Sequence, residues 1–194
     1  METVTWQADT AYLEGLDFFS AVVERFPADG WDRASPCSGW RALDVLGHVG
    51  ATTRYGIEVL RGGTPSWQPS ATPGDSVEGE PVAWWEAIVG EARPLVRTAE
   101  LEKEVDTARG RRSVAEGLSL PAVDLFVHGW DLARSAGESV EIPGEAIEFA
   151  RPVLEGIPPE LMRTAAAFSA AVEPPEGATP SEAFLAWCGR LPRG

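Results

Sequence analysis

The sequence predicts an all-α protein, a four-helix bundle with one long crossover loop and a short C-terminal helical extension. Large apolar residues recur at spacings of three and four over several segments, whereas the alternation typical of strands is almost absent. Residues 62–81, rich in Gly, Pro, Ser and Thr, lack such a pattern and indicate the crossover loop. We expect one domain over residues 1–194, with the bundle at about 9–137 and the extension at about 138–194.

Apolar stripes predict the first two helices. The first covers residues 12–26, where large side chains fall on one helical face. The second covers about residues 41–60 and stops at Gly62-Gly63. Because its polar side chains occupy only a narrow sector, the second helix is expected to be buried on most of its circumference.

The third and fourth helices carry stronger end signals. The third is predicted over about residues 82–99, with Pro94 as a candidate kink. The fourth begins with the capping box Ser113-Val-Ala-Glu116 and ends at Ala136-Gly137, where glycine favours the left-handed C-cap. Pro121 is expected to bend this helix or to separate its first turn.

Two further helices form the predicted extension. One covers residues 145–155 and ends before Pro158-Pro159. The other starts at the capping box Thr179-Pro-Ser-Glu182, with proline at the first helical position, and ends near Gly189.

Composition excludes several classes of function. Hydrophobic residues make up 44% and charged residues 24% of the 194 residues, as in ordinary globular proteins. The net charge of −14 repels phosphate backbones and anionic lipids, so neither nucleic acid nor a membrane is an expected partner. With no apolar run near ~20 residues and no signal-peptide pattern, we expect a cytoplasmic protein, monomeric or homodimeric, whose partners are small molecules. The two cysteines are too few for a disulfide scaffold.

Candidate chemistry is concentrated in the fourth helix, in the segment VDLFVHGWDLA. Asp124 and His128 are four residues apart and therefore share a face. Their neighbours are apolar nearly all round, and a buried carboxylate and imidazole require partners. A metal ion is one candidate. Asp131, one turn from His128, is interpreted as an acceptor that orients a neighbouring group.

His48 lies at the edge of the apolar arc of the second helix. Because bundles hold metals with side chains from facing helices, His48, Asp124 and His128 would form a two-histidine, one-carboxylate set with open positions. The alternative is a hydrogen-bonded Asp–His pair and a core histidine bonded to a backbone carbonyl. Spacing alone leaves both interpretations open.

Three segments together resemble a known family. They are SPCSGW at residues 35–40, LDVLGHV at 43–49 and DLFVHGWDLA at 124–133. This combination is similar to actinobacterial DinB-like proteins related to the metal-binding domain of mycothiol-dependent maleylpyruvate isomerase. The segment PPEGATPSEAFLAWCGRLP resembles the end of the short, stand-alone members, which extends the resemblance over essentially the whole chain.

The resemblance implies a DinB-like four-helix bundle that holds a divalent ion through His48, Asp124 and His128. The resemblance implies zinc as the metal. Nickel, iron and manganese are alternatives, because Asp124 stands where the isomerase has the longer Glu and the reach of the ligand differs. We expect the isomerase's separate C-terminal domain to be absent.

The function expected from these residues and the resemblance is that of a metal-dependent transferase or isomerase acting with a low-molecular-weight thiol such as mycothiol. The metal would bind the thiol and present it as a thiolate to an electrophilic carbon. Two alternatives remain: a metal-binding protein that holds a small molecule without turnover, and a metal-dependent hydrolase that activates water.

Several residues have two interpretations. Tyr55, Trp130 and Arg190 are candidate substrate contacts, with packing as the alternative use of each. Cys37, just before a helix N-terminus, is either a reactive thiol or a small buried residue at the loop-to-helix junction; we favour the second. Cys188 is expected to be structural.

Overall fold

The computed structural model describes residues 6–66, 68–107, 110–162 and 168–193. These residues form a mostly helical fold with one small two-stranded sheet. The helices are α1 (Ala8–Arg25), α2 (Ala42–Arg61), α3 (Pro81–Arg97), α4 (Val114–Ser135), α5 (Gly144–Glu155), α6 (Pro159–Met162) and α7 (Pro180–Trp187); the strands are β1 (Glu104–Thr107) and β2 (Gly110–Ser113). None of the helices in the described ranges combines the length and apolar character needed to cross a membrane.

The four long helices α1 to α4 pack around a common core. Helix α4 contacts both α1 and α2, and α3 contacts the same two helices. Helix α4 is buried over nearly its whole length. The fully buried side chains at the centre include Tyr12, Leu16, Phe19, Leu46, Trp85, Leu118, Leu125 and Phe126. Because α4 is central, even its polar residues Asp124, His128 and Asp131 are buried.

The predicted helix ends are confirmed where capping side chains mark them. The Ser113 hydroxyl accepts the Glu116 backbone N–H at 3.2 Å, and the Glu116 carboxylate accepts the Ser113 N–H at 2.9 Å. Thr179 and Glu182 repeat this arrangement at the start of α7. Gly62 ends α2 with a φ of +71°, a conformation that glycine adopts without strain. Helix α4 continues unbroken through Pro121, so its first turn is not separated.

The all-α prediction misses the hairpin of β1 and β2. Its strands are antiparallel, pairing Glu104 with Ser113 and Thr107 with Gly110. Each strand has only four residues, and Val105 alone is buried. An alternating pattern this short does not stand out in the sequence.

The crossover loop after α2 contains a 3₁₀ turn at Pro73–Ser76 that packs on α2. The Gly74 N–H donates to Asp44 Oδ1 at 3.0 Å, and Asp44 Oδ2 accepts the Arg41 N–H at 2.9 Å. Close packing of the turn depends on Gly47, because a Cβ there would overlap the carbonyl of Pro73. The loop is therefore fixed against the helix that holds His48.

The C-terminal segment returns toward α4. Helix α5 packs on α4, and α7 packs on α5. The Ile142 N–H donates to the Ser181 hydroxyl at 2.9 Å, which fixes the start of α7 against the chain before α5. This path brings Arg190 to the side of α4.

Candidate metal centre

Helices α2 and α4 bring the two histidines together. The ring centroids of His48 and His128 are 4.7 Å apart, at an interplanar angle of 74°. His48 Nε2 lies 3.5 Å from Asp124 Oδ2. One donor atom from each of these three residues lies within 4.8 Å of the other two. The structure thus brings together the three ligand-type side chains expected from the sequence.

The Asp124 carboxylate lies in a poorly solvated position. Its side chain is 11% exposed, and the side chains of His48 and His128 are 13% and 9% exposed. In the part of the chain that the structure describes, no Lys or Arg pairs with Asp124. Because an ionised carboxylate is costly to bury without a counter-charge, this position fits a cation.

His128 is held by Asp131. Its Nδ1 lies 2.9 Å from Asp131 Oδ2. Burial lowers the pKa of His128, although the hydrogen bond to Asp131 opposes this shift. A neutral imidazole is the form that binds metals. Since a carboxylate can only accept, Nδ1 carries the proton, and Nε2 is left with the lone pair for a ligand bond.

Arg190 fixes the charge of Asp131. Its Nε donates to Asp131 Oδ1 at 3.2 Å and its Nη2 to Oδ2 at 2.8 Å. Burial would raise the pKa of Asp131, but the charge of Arg190 and the hydrogen bond from His128 outweigh it and hold the pKa well below its usual range. Asp131 is therefore an ionised acceptor at neutral pH.

Cys37 forms a second cluster of ligand-type atoms with His128 and Asp131. Its Sγ lies 3.2 Å from Asp131 Oδ2 and 3.8 Å from His128 Nδ1. Burial and the neighbouring Asp131 raise the pKa of the Cys37 thiol, so it remains protonated. Arg190 already pairs with Asp131 and would repel a cation. This cluster fits a metal less well than His48, Asp124 and His128.

A cleft opens beside the first cluster, with a cavity volume of about 310 Å³. His48 and Asp124 form part of its wall, and Arg112 from β2 lines it as well. The remaining lining is mixed polar and apolar: Thr52, Tyr55, Thr107, Glu116, Gly117, Ser119, Leu120, Pro121, Val153 and Ile157. Ligands of a tetrahedral zinc ion lie about 3.4 Å apart, close to the 3.5 Å between His48 Nε2 and Asp124 Oδ2. The residues present therefore fit a divalent ion that faces the cleft.

The three candidate substrate contacts lie in different parts of the structure. Tyr55 lines the cleft. Trp130 is buried, 3% exposed, with the Arg134 guanidinium 5.8 Å from its ring. Arg190 is buried behind His128, in the contacts with Asp131.

Trp40 and Cys37 join the centre from the segment before α2. The Trp40 ring lies 5.1 Å from His48 and 6.1 Å from His128, measured between centroids. The Ser35 hydroxyl donates to the Trp40 carbonyl at 3.0 Å and so holds this segment in a tight loop. Sequence reasoning did not place Trp40 beside the histidines, and it left Cys37 as either a reactive thiol or, as the favoured interpretation, a small buried junction residue. The available signal was their common position in the SPCSGW motif.

Comparison with known proteins identifies related sequences. The family model described as "Mycothiol maleylpyruvate isomerase N-terminal domain" matches residues 12–133. Two Mycobacterium tuberculosis proteins, described as uncharacterized proteins MT0763 and Rv0738, are each 25% identical over 185 residues. The alignment covers 94% of this chain and 97% of each relative.

Two solved structures share the fold. They are the mycothiol-dependent maleylpyruvate isomerase and a histidine-to-alanine mutant of it, with TM-scores of 0.59 and 0.60. Each is 16% identical and covers 73% of this chain. The match spans 65% of the length of those solved chains. At this identity the similarity shows the fold alone.

Proposed function

The chain belongs to the family of the mycothiol maleylpyruvate isomerase N-terminal domain, and from this premise we propose that it is a cytoplasmic enzyme that binds a divalent metal ion. Its ligands are His48, Asp124 and His128, on a DinB-like bundle of α1 to α4, and the proposed ion is zinc. The reaction is a transfer or an isomerisation that uses a low-molecular-weight thiol, with mycothiol as the proposed co-substrate.

One observation supports this proposal most strongly: His48, Asp124 and His128 converge, and two of them, His48 and Asp124, lie in the wall of a cleft. Two neutral imidazoles and one carboxylate are a ligand set that suits zinc and other first-row ions, and it leaves positions for water or substrate. With one negative ligand, a divalent ion would leave a net positive charge at the cleft. That charge favours a thiolate or another anionic group.

The protein's own residues orient the ligands and shape the cleft. Asp131 holds the His128 ring through Nδ1. Leu120, Val153 and Ile157 supply apolar wall, which limits water around a bound substrate. Tyr55 places a side chain with a phenolic hydroxyl in the same lining. When bound, the ion supplies the positive charge that lets a thiol ionise near neutral pH.

The test is turnover with a thiol and an electrophilic substrate, with and without a chelator. We expect conversion that requires both the thiol and the metal, that stops on chelation and that returns when zinc is added. Binding of metal and small molecules without turnover would overturn the enzymatic assignment. Chelator-sensitive ester or amide hydrolysis without any thiol would replace the proposed reaction by a hydrolase reaction.

A further inference from the structure

Arg190 is a buried cation from the C-terminal segment, outside the residues that the family model matches. It is 8% exposed and forms a two-point contact with Asp131, Nε to Oδ1 at 3.2 Å and Nη2 to Oδ2 at 2.8 Å. Two parallel N–H to oxygen contacts fix both the position and the plane of a carboxylate. Arg190 therefore determines the position and orientation in which the Asp131 carboxylate meets its other hydrogen-bond partners.

The guanidinium itself is held in place by its own segment. Its Nη1 donates to the Cys188 carbonyl at 3.1 Å, and its Cζ lies 5.2 Å from the centroid of the Phe168 ring. Gly189, which lies between Cys188 and Arg190, allows the chain to turn there with a φ of +82°. Its lack of a Cβ is also required, because a Cβ there would overlap Ser169. The orientation of Arg190 is thus set by the packing of the chain end.

Asp131 Oδ2 accepts hydrogen bonds from three donors: Arg190 Nη2 at 2.8 Å, His128 Nδ1 at 2.9 Å and Cys37 Sγ at 3.2 Å. Without Arg190, the buried carboxylate would lose its counter-charge and its fixed plane. It could then rotate away from the ring, and this change removes its preference for the Nδ1–H form of His128.

We propose that Arg190 is a positioning residue of the metal centre. Through Asp131 it holds the His128 ring with the proton on Nδ1 and the lone pair on Nε2, the nitrogen that would bind the ion. Docking of the C-terminal segment is thereby linked to metal affinity. The affinity part rests on the proposed function, whereas the effect on the His128 tautomer does not.

The experiment compares the full-length protein with Arg190→Lys, Arg190→Met and the control Arg193→Gln. Arg193 lies in the same segment but pairs with Glu182 at the surface, so its loss perturbs the chain end without touching Asp131. Two quantities are measured: the tautomer of His128 in metal-free protein, from two-bond ¹⁵N–¹H correlations of the ring, and the Kd for Co²⁺ in a titration.

We expect the Nδ1–H tautomer in the wild type and in Arg193→Gln, and a mixture of tautomers in Arg190→Met. Loss of an outer partner of a metal-binding histidine typically weakens metal affinity by about 10–100-fold, and we expect this loss for Arg190→Met. Arg190→Lys keeps the charge but not the two-point contact, so its affinity should fall between those of the wild type and Arg190→Met.

Circular dichroism first establishes that each variant is folded. A folded Arg190→Met protein with the wild-type tautomer and wild-type Co²⁺ affinity would overturn the proposal. If Arg190→Met does not fold, Arg190→Lys decides, and equality with the wild type in both measurements refutes the role. Absence of Co²⁺ binding in the wild type itself would refute the proposed function, while the tautomer comparison would still decide the role of Arg190.

Discussion

His48 Nε2 and Asp124 Oδ2 lie 3.5 Å apart across the contact between α2 and α4. This separation is close to that of two ligands on one tetrahedral ion, about 3.4 Å for bonds of about 2.1 Å. The His128 ring completes the group from one turn further along α4. A site of this kind depends on the packing of two helices, so its properties can be tested by changing charge without changing shape.

Asp124→Asn should remove the metal affinity of the protein. The substitution replaces a carboxylate by a neutral group of the same shape. Because Asp124 is the only charged ligand proposed, the Kd for Co²⁺ should rise by more than the ~10–100-fold typical of outer partners. A Co²⁺ titration of the folded variant measures the effect; unchanged Co²⁺ affinity would exclude Asp124 as a ligand.

Asp131→Asn should destabilise the protein. It leaves Arg190 buried without its counter-charge, and breaking a buried ion pair in this way costs about 3–5 kcal/mol. The pKa of Asp131 is held below its usual range, so the stabilisation is present above the unfolded value near ~3.9 and is lost only as the pH falls through the lower folded value. Urea unfolding from pH 7 to pH 8, where the lowered pKa of His128 keeps its imidazole neutral in both folded proteins, should therefore show a constant deficit relative to the wild type. A deficit that disappears in this range would contradict the assigned charge.

Co²⁺-substituted protein should gain a sulfur-to-metal charge-transfer band when a small thiol is added. A free thiol titrates near ~8.5, and coordination should bring its ionisation to neutral pH. Cys37→Ser should leave the band intact, because the Cys37 thiol remains protonated and donates to Asp131, a role that a serine hydroxyl can take over. A band that appears before any thiol is added, and that Cys37→Ser removes, would instead make Cys37 a ligand.

Gly47→Ala should destabilise the protein and displace the Pro73–Ser76 turn. A Cβ at this position would overlap the backbone carbonyl of Pro73, which cannot move aside as a flexible side chain can. The matched control is Gly90→Ala in α3, where the added Cβ meets nothing within 4 Å. Alanine is favoured over glycine in a helix by about 1 kcal/mol, so the control should be slightly stabilised. Thermal unfolding compares the two variants; equal melting temperatures would contradict the packing of this turn on α2.

Local signals in the sequence were sufficient for the long helices. The Ser113 and Thr179 capping boxes and the Gly62 C-cap are short-range patterns, and each marks a helix end in the structure. The four-residue spacing of Asp124 and His128 is also a local pattern, so their common face could be predicted. That these two residues and His48 bind a metal remains a prediction.

The contacts of Arg190 and Cys37 could not be predicted in the same way. Arg190 reaches Asp131 only because α5 and α7 fold the C-terminal segment back along α4. Cys37 contacts Asp131 only because the loop before α2 brings it there. Such long-range contacts leave no periodic pattern in the sequence. The hairpin of β1 and β2 was missed for a different reason, because its strands are too short to show an alternation.

Elemental analysis of purified and zinc-reconstituted protein, wild type against His128→Ala, tests the central claim most directly. Three ligand-type side chains at one buried site predict about one divalent ion per chain in the wild type and almost none in His128→Ala. The control Ser119→Ala changes a residue of the cleft lining that is not a proposed ligand, and it should retain the metal. A wild-type protein that holds no metal after reconstitution, or a His128→Ala protein that retains it fully, would contradict the metal centre.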